Sequence, residues 1–123
     1  MSDIDSRASN GVKLIFACSG AADVGEIADR AARKMSKDGI GTMFCLAGVG
    51  GRVEPVMQKA KSASKILAID GCELDCVKNC FLRADIRQFE HLRVTDLGMK
   101  KGNSPATDEN IAEVADKGTQ KLR

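Results

Sequence analysis

Three short apolar runs, each followed by a turn signal and a stretch with helix periodicity or a helix start, constrain this chain more than any other feature. Lys13 to Ala17 (KLIFA) follows the turn-forming Asn10-Gly11 pair and ends at Cys18-Ser19-Gly20. Val24, Ile27, Ala28, Ala31 and Met35 then recur at offsets of 3, 4, 7 and 11, one face of a helix opened by Asp23 and Glu26 and stopped near Gly39. Gly41 to Leu46 (GTMFCL) reads as a second strand, closing on a glycine-rich loop with Gly48, Gly50 and Gly51, and Pro55 suits the first turn of another helix. Ser64 to Ile69 (SKILAI) is a third strand ending at Asp70-Gly71, after which Leu74, Val77 and Phe81 repeat at offsets of 3 and 7. His91 to Leu97 supports a fourth strand through Leu92 and Val94, and Ile111, Val114 and Ala115 mark a short helix after Pro105. Such alternation predicts an α/β three-layer sandwich, with a mainly parallel sheet of about four strands and helices on both faces, Rossmann-like or flavodoxin-like. Periodicity leaves the strand order open.

With 123 residues the chain is sized for one domain, spanning 1–123 with 1–11 and 119–123 expected to fray. Nineteen basic against 17 acidic residues give a net charge of +2, too small and too interspersed for a nucleic-acid or membrane-surface field. Only 3% of residues are aromatic, with no Trp or Tyr, which argues against base-stacking platforms. The polar start and the lack of an apolar run of about 18 to 20 residues predict a cytoplasmic protein that spans no membrane. Neither a protein partner nor an oligomeric state is specified.

Five cysteines in a reducing compartment argue for metal or redox chemistry rather than disulfides. Since His91 is the sole histidine, sites that need two imidazoles are excluded. In open parallel sheets ligands bind beyond the carboxyl ends of the strands. Cys18 ends the first strand, Cys45 lies in the second before its glycine loop, Cys72 ends the third, and Cys76 sits on the first turn of the next helix. Four thiols are therefore expected on one edge. Cys72, Cys76 and Cys80 are spaced by four and would form one helical stripe. Structural zinc takes four such ligands in tetrahedral geometry, and separate loops can supply them. The plainer reading is that free cysteines are small core residues, which fits Cys45 between Phe44 and Leu46, and fits Cys80.

Three other candidates carry less. The glycine loop from Ala47 to Gly51 stands where a phosphate could be cradled, but neither GxGxxG nor GxxxxGK[ST] is present. Asp70 has a magnesium or phosphoryl reading beside a helix-capping one, and His91 reads as structural or exposed. The lysines at 34, 37, 59, 61 and 65 read as solvated helix faces.

Taken together, Cys18-Ser19-Gly20, Cys45 followed by Ala47-Gly48-Val49-Gly50-Gly51, and Asp70-Gly71-Cys72-Glu73-Leu74-Asp75-Cys76 resemble the DGC-domain proteins, a family named for its Asp-Gly-Cys motif. The likeness runs from about Val12 to Gly98. It implies a zinc site of four cysteines, which map onto Cys18, Cys45, Cys72 and Cys76, with Cys80 not needed. It implies no particular activity, so the chain's status as an enzyme stays open. Beside a zinc-binding domain stand two alternatives: a thiol redox or persulfide-handling protein using the same cysteines, and a small-molecule or nucleotide binder using the glycine loop.

Overall fold

The structure is a computed structural model and describes residues 11–123. Its centre is a four-stranded parallel sheet in the order β2-β1-β3-β4. The strands are β1 (Lys13–Ala17), β2 (Thr42–Met43), β3 (Lys65–Asp70) and β4 (Glu90–Arg93). Helix α1 (Asp23–Lys37) links β1 to β2, α2 (Leu46–Gly50) and α3 (Glu54–Ser62) link β2 to β3, and α4 (Cys76–Arg83) links β3 to β4. A 3-10 turn (Val94–Leu97) and α5 (Asp108–Leu122) close the chain.

The apolar runs are continuous rather than alternating because both faces of the sheet are covered. Ile15, Ala17, Leu67 and Ile69 point to one face, where α1 and α5 pack through Ile27, Ala31, Met35, Val114 and Leu122. Their neighbours Leu14, Phe16, Ile66 and Ala68 point to the other, against Val49, Met57, Val77 and Phe81 of α2, α3 and α4. All four phenylalanines of the chain lie on that second side, in a relay of edge-to-face pairs: Phe44 with Phe16 at 6.0 Å, Phe16 with Phe81 at 5.0 Å and Phe81 with Phe89 at 5.0 Å. Such pairs add roughly 0.5–1.5 kcal/mol each beyond area burial.

Strand order places the site. From β1 the chain leaves over the first face to the edge strand β2, while from β3 it leaves over the second face to β4. The connections after these two adjacent central strands diverge, and this is the switch point at which open α/β sheets form a crevice.

Four local expectations are corrected. The second strand is only Thr42–Met43 rather than 41–46, although Phe44 N–H still donates to Ile15 O at 2.8 Å. The glycine segment is not a loop: Leu46–Gly50 is helical, and a Cβ on Gly48 would fall 2.6 Å from the Val56 side chain, so close packing explains that glycine. Helix α4 begins at Cys76, and Leu74 is 62% exposed outside it, because Asp75 turns the chain through a left-handed conformation (φ 52°). The single stripe of Cys72, Cys76 and Cys80 therefore fails for Cys72. Finally, β4 stops at Arg93 and passes into the 3-10 turn, where Thr95 N–H donates to Gly71 O at 3.2 Å.

The end of the chain is also packed rather than frayed. Helix α5, capped by the Thr107 hydroxyl accepting from Asn110 N–H, runs through Leu122, which is 1% exposed, and Lys65 Nζ donates to Arg123 O at 2.6 Å. Residues 1–10, most of the N-terminal stretch expected to fray, fall outside the described residues. Replacing Leu122 by Ala should lower unfolding free energy by about 2–4 kcal/mol, the scale for a buried leucine. Urea denaturation checks this, and a wild-type midpoint would mean that the terminus does not contribute to the core.

Candidate thiol site

Each cysteine reaches the carboxyl edge for a local reason. Past β1, Cys18 N–H continues the ladder to Ile69 O at 3.1 Å, and the left-handed Ser19 (φ 53°) then turns the chain toward α1. The Cys18 sulfur accepts from Gly71 N–H at 3.3 Å, which links the end of β1 to the Asp-Gly-Cys segment after β3. Gly71 must be glycine here. A Cβ would lie 2.9 Å from backbone atoms of Val24 and Gly25 at the start of α1, and backbone cannot yield as a side-chain tip can. Cys72 follows, partly buried, with Lys101 Nζ at 3.8 Å from its sulfur.

The Asp70 carboxylate, at 1% exposure, anchors the next helix. It accepts from Val77 N–H at 2.7 Å, from Lys78 N–H at 3.2 Å and from His91 Nε2 at 2.9 Å. Accepting two backbone donors, it satisfies the first turn of α4 from seven residues upstream, which realises the capping role over the magnesium or phosphoryl one. His91, on β4, is thereby held by a buried partner and has a structural position.

Between Cys72 and Cys76, Asp75 is held by a two-pronged guanidinium contact: Arg93 Nε to Oδ1 at 2.9 Å and Nη2 to Oδ2 at 2.6 Å. Asp70, Asp75 and His91 bring their ligand atoms within 4.8 Å of one another, the one such trio among the described residues. Its acceptors are already taken by Arg93 and by the α4 backbone, so it works as an internal ion-pair network rather than a cation cage. The Arg93 hydrogen bond outweighs burial and holds the Asp75 carboxyl below its ordinary value of 3.8, while the same contact raises Arg93.

The thiols fall into two overlapping groups. Cys76, although exposed as a residue, has its thiol pushed up, first by partial desolvation and then by the Asp70 carboxylate and the neighbouring Cys18, Cys72 and Cys80 thiols. Cys18, Cys45 and Cys80 line one open cavity of about 1040 Å³ beside the edge strand. Cys18, Cys72 and Cys80 thus lie around Cys76, whereas Cys45 shares a cavity with Cys18 and Cys80. No three sulfurs among the described residues lie within 4.8 Å of one another. Cys45 and Cys76 are exposed, the other three partly buried, and all five are free thiols.

Sequence reasoning set Cys80 aside, yet it stands between the two groups. Its spacing of four from Cys76 on α4 was the available signal. Arg93 and Asp75 were not singled out, because an arginine at the end of a strand and an aspartate four residues past a glycine turn carry no motif by themselves.

The fold and this edge define a parallel α/β domain whose switch point is furnished with thiols. Residues 14–117 match the DGC domain, and the chain belongs to that family. It is 40% identical over 88 residues to the "Anaerobic and virulence modulator AnvM" of Pseudomonas aeruginosa, an alignment covering 72% of this chain and 67% of that protein. No solved structure matches.

Two expectations follow. Gly71→Ala should destabilise the domain by about 1–3 kcal/mol through overpacking against α1, whereas Gly20→Ala, with open space around its Cβ, should not; denaturant midpoints compare them. The Asp75 carboxyl, lowered in the folded state, contributes stability that is present above 3.8 and is lost as pH falls through its lowered value. Arg93→Ala should cost about 1.5–3 kcal/mol at neutral pH, the scale of hydrogen bonds to a charged group. It should also flatten the acid limb of the stability profile; an unchanged limb would show that the pair contributes nothing.

Proposed function

We propose that this protein binds a zinc ion through Cys18, Cys45, Cys72 and Cys76 at the carboxyl edge of its sheet, in a regulatory or structural rather than a substrate-converting role. The observation that carries the reading is the link between two strand ends: the Gly71 N–H of the Asp-Gly-Cys segment meets the Cys18 sulfur at 3.3 Å, which sets Cys18 beside the turn that bears Cys72 and leads to Cys76, a set of free thiols that suits a thiophilic cation. The donor set suits such a cation. The thiols are unpaired by disulfides, and two of them already accept from Gly71 N–H and the Lys101 ammonium, contacts that support thiolates in the second shell of a metal. Bringing Cys45 to the others needs movement at the short edge strand. Four thiolates would close the site and leave no position for a reacting water, which favours regulation; a relative whose printed name calls it a modulator points the same way.

We further propose a cytoplasmic location, where thiols stay reduced. No helix among the described residues is long and apolar enough to cross a membrane, and with a net charge of only +2 no nucleic-acid or membrane-surface partner is proposed.

Protein purified without added zinc should carry about one equivalent, with about four thiols shielded from alkylation until a chelator is added. Serine replacements at Cys18, Cys45, Cys72 and Cys76 should each weaken zinc retention by about tenfold or more, and Cys80→Ser should leave it near wild type. Metal-free protein with five equally reactive thiols would sink the proposal. Retention lost on Cys80→Ser but kept on Cys45→Ser would instead redraw the ligand set around Cys76.

A further inference from the structure

The cavity beside the thiols has a second wall with a different chemistry. Cys18, Cys45 and Cys80 face it from the ends of β1 and β2 and from α4, and Phe44 and Met43 supply apolar lining. Helix α1 lines it too, through Asp29, Arg33 and Lys37, which are spaced by four and therefore share one face of the helix. Arg33 spends only its Nε on Asp29, at 2.7 Å, while the other Asp29 oxygen accepts from the Ser19 hydroxyl at 2.7 Å. Among the described residues the Arg33 terminal amines and the Lys37 ammonium have no hydrogen-bond or ion-pair partner. The Ser36 hydroxyl accepts from Met43 N–H at 3.0 Å and ties this part of α1 to β2. A volume of about 1040 Å³ suits a small molecule of several bonds.

We infer that this cavity admits small disulfides bearing a carboxylate, whose acid group rests on Arg33 and Lys37 while a sulfur meets Cys45, the exposed thiol of the three. The step is thiol–disulfide exchange. The Cys45 thiolate attacks one ligand sulfur, the Cys45–ligand bond forms as the ligand's own S–S bond breaks, and the other half leaves as a thiolate that takes a proton from water. The incoming disulfide is the oxidant and its departing half the reduced product. The inference concerns the metal-free protein and rests on the proposed metal reading only in that a cation held by Cys45 would block the reaction.

The test uses two chromogenic disulfides, the anionic dithiobis(nitrobenzoate) and the neutral dithiodipyridine, on full-length metal-free protein, with the modified cysteine located by peptide mapping. Wild type should be modified first at Cys45 by the anionic reagent. Replacing both Arg33 and Lys37 by Gln should slow that reagent about fivefold, the scale that two charges within about 8 Å supply in water, and change the neutral one less than about twofold. Lys34→Gln removes one charge from the same helix outside the cavity and should leave both rates alone, and Arg33→Lys should retain the selectivity. Circular dichroism confirms the fold of each variant. Equal slowing of both reagents, equal slowing by Lys34→Gln, or first modification at Cys76 would overturn the inference. Repeating the reaction with zinc separates the two proposals. Protection of Cys45 supports the metal reading; no protection counts against it and leaves the anion selectivity to stand or fall by itself.

Discussion

A single buried carboxylate organises the functional edge. Asp70 ends the central strand β3 with almost no exposure to water, and a charge there is tolerable only if donors surround it. Two backbone N–H groups of α4 and the imidazole of His91 supply them. One residue therefore ties β3 to the helix that starts at Cys76 and to the next strand. Removing it would leave the first turn of α4 without acceptors and His91 without a partner. The chain between Asp70 and Val77 is thereby drawn into a closed bracket, within which Gly71, Cys72 and Cys76 have little freedom.

Arg93 fixes the other side of that bracket. Asp75 sits in the left-handed region, where a residue with a Cβ is strained, and the fork from Arg93 holds it there. The strain lies immediately before Cys76 and sets the direction in which the helix leaves the sheet. This is why Cys72 and Cys76, four apart, converge on one edge without lying on one helix. Gly71 completes the arrangement, since its lack of a side chain lets the turn approach the start of α1 and donate to the Cys18 sulfur.

Much of this was legible in the sequence because it depends on patterns of burial. Runs such as Lys13–Ala17 and Lys65–Asp70 are apolar on both faces, and the periodic face of α1 is unambiguous, so the sandwich follows, with Cys18 and Cys72 just past the ends of two adjacent strands. What sequence missed depends on contacts between distant residues. Gly48 resembles a loop glycine until Val56 is seen against it, and the helix expected to begin before Cys76 is delayed by the left-handed Asp75, whose carboxylate Arg93 holds. Leu122 was misread as a loose end because a helix tail shows its burial only once it meets the sheet.

The two sides of the thiol edge differ in how firmly they are held, and the difference bears on what the edge can do. Cys18, Cys72 and Cys76 are fixed by the β1–β3 ladder, the Asp70 cap and the Arg93 fork. Cys45 follows an edge strand of two residues, paired to β1 at Thr42 and Met43 and continued by the Phe44 N–H bond to Ile15 O, and precedes a single-turn helix. Any closure of four sulfurs around a cation would thus displace the β2–α2 corner, because the opposite side is braced by buried charge. That corner also carries part of the cavity wall, so a cation held there would draw on residues that line the cavity.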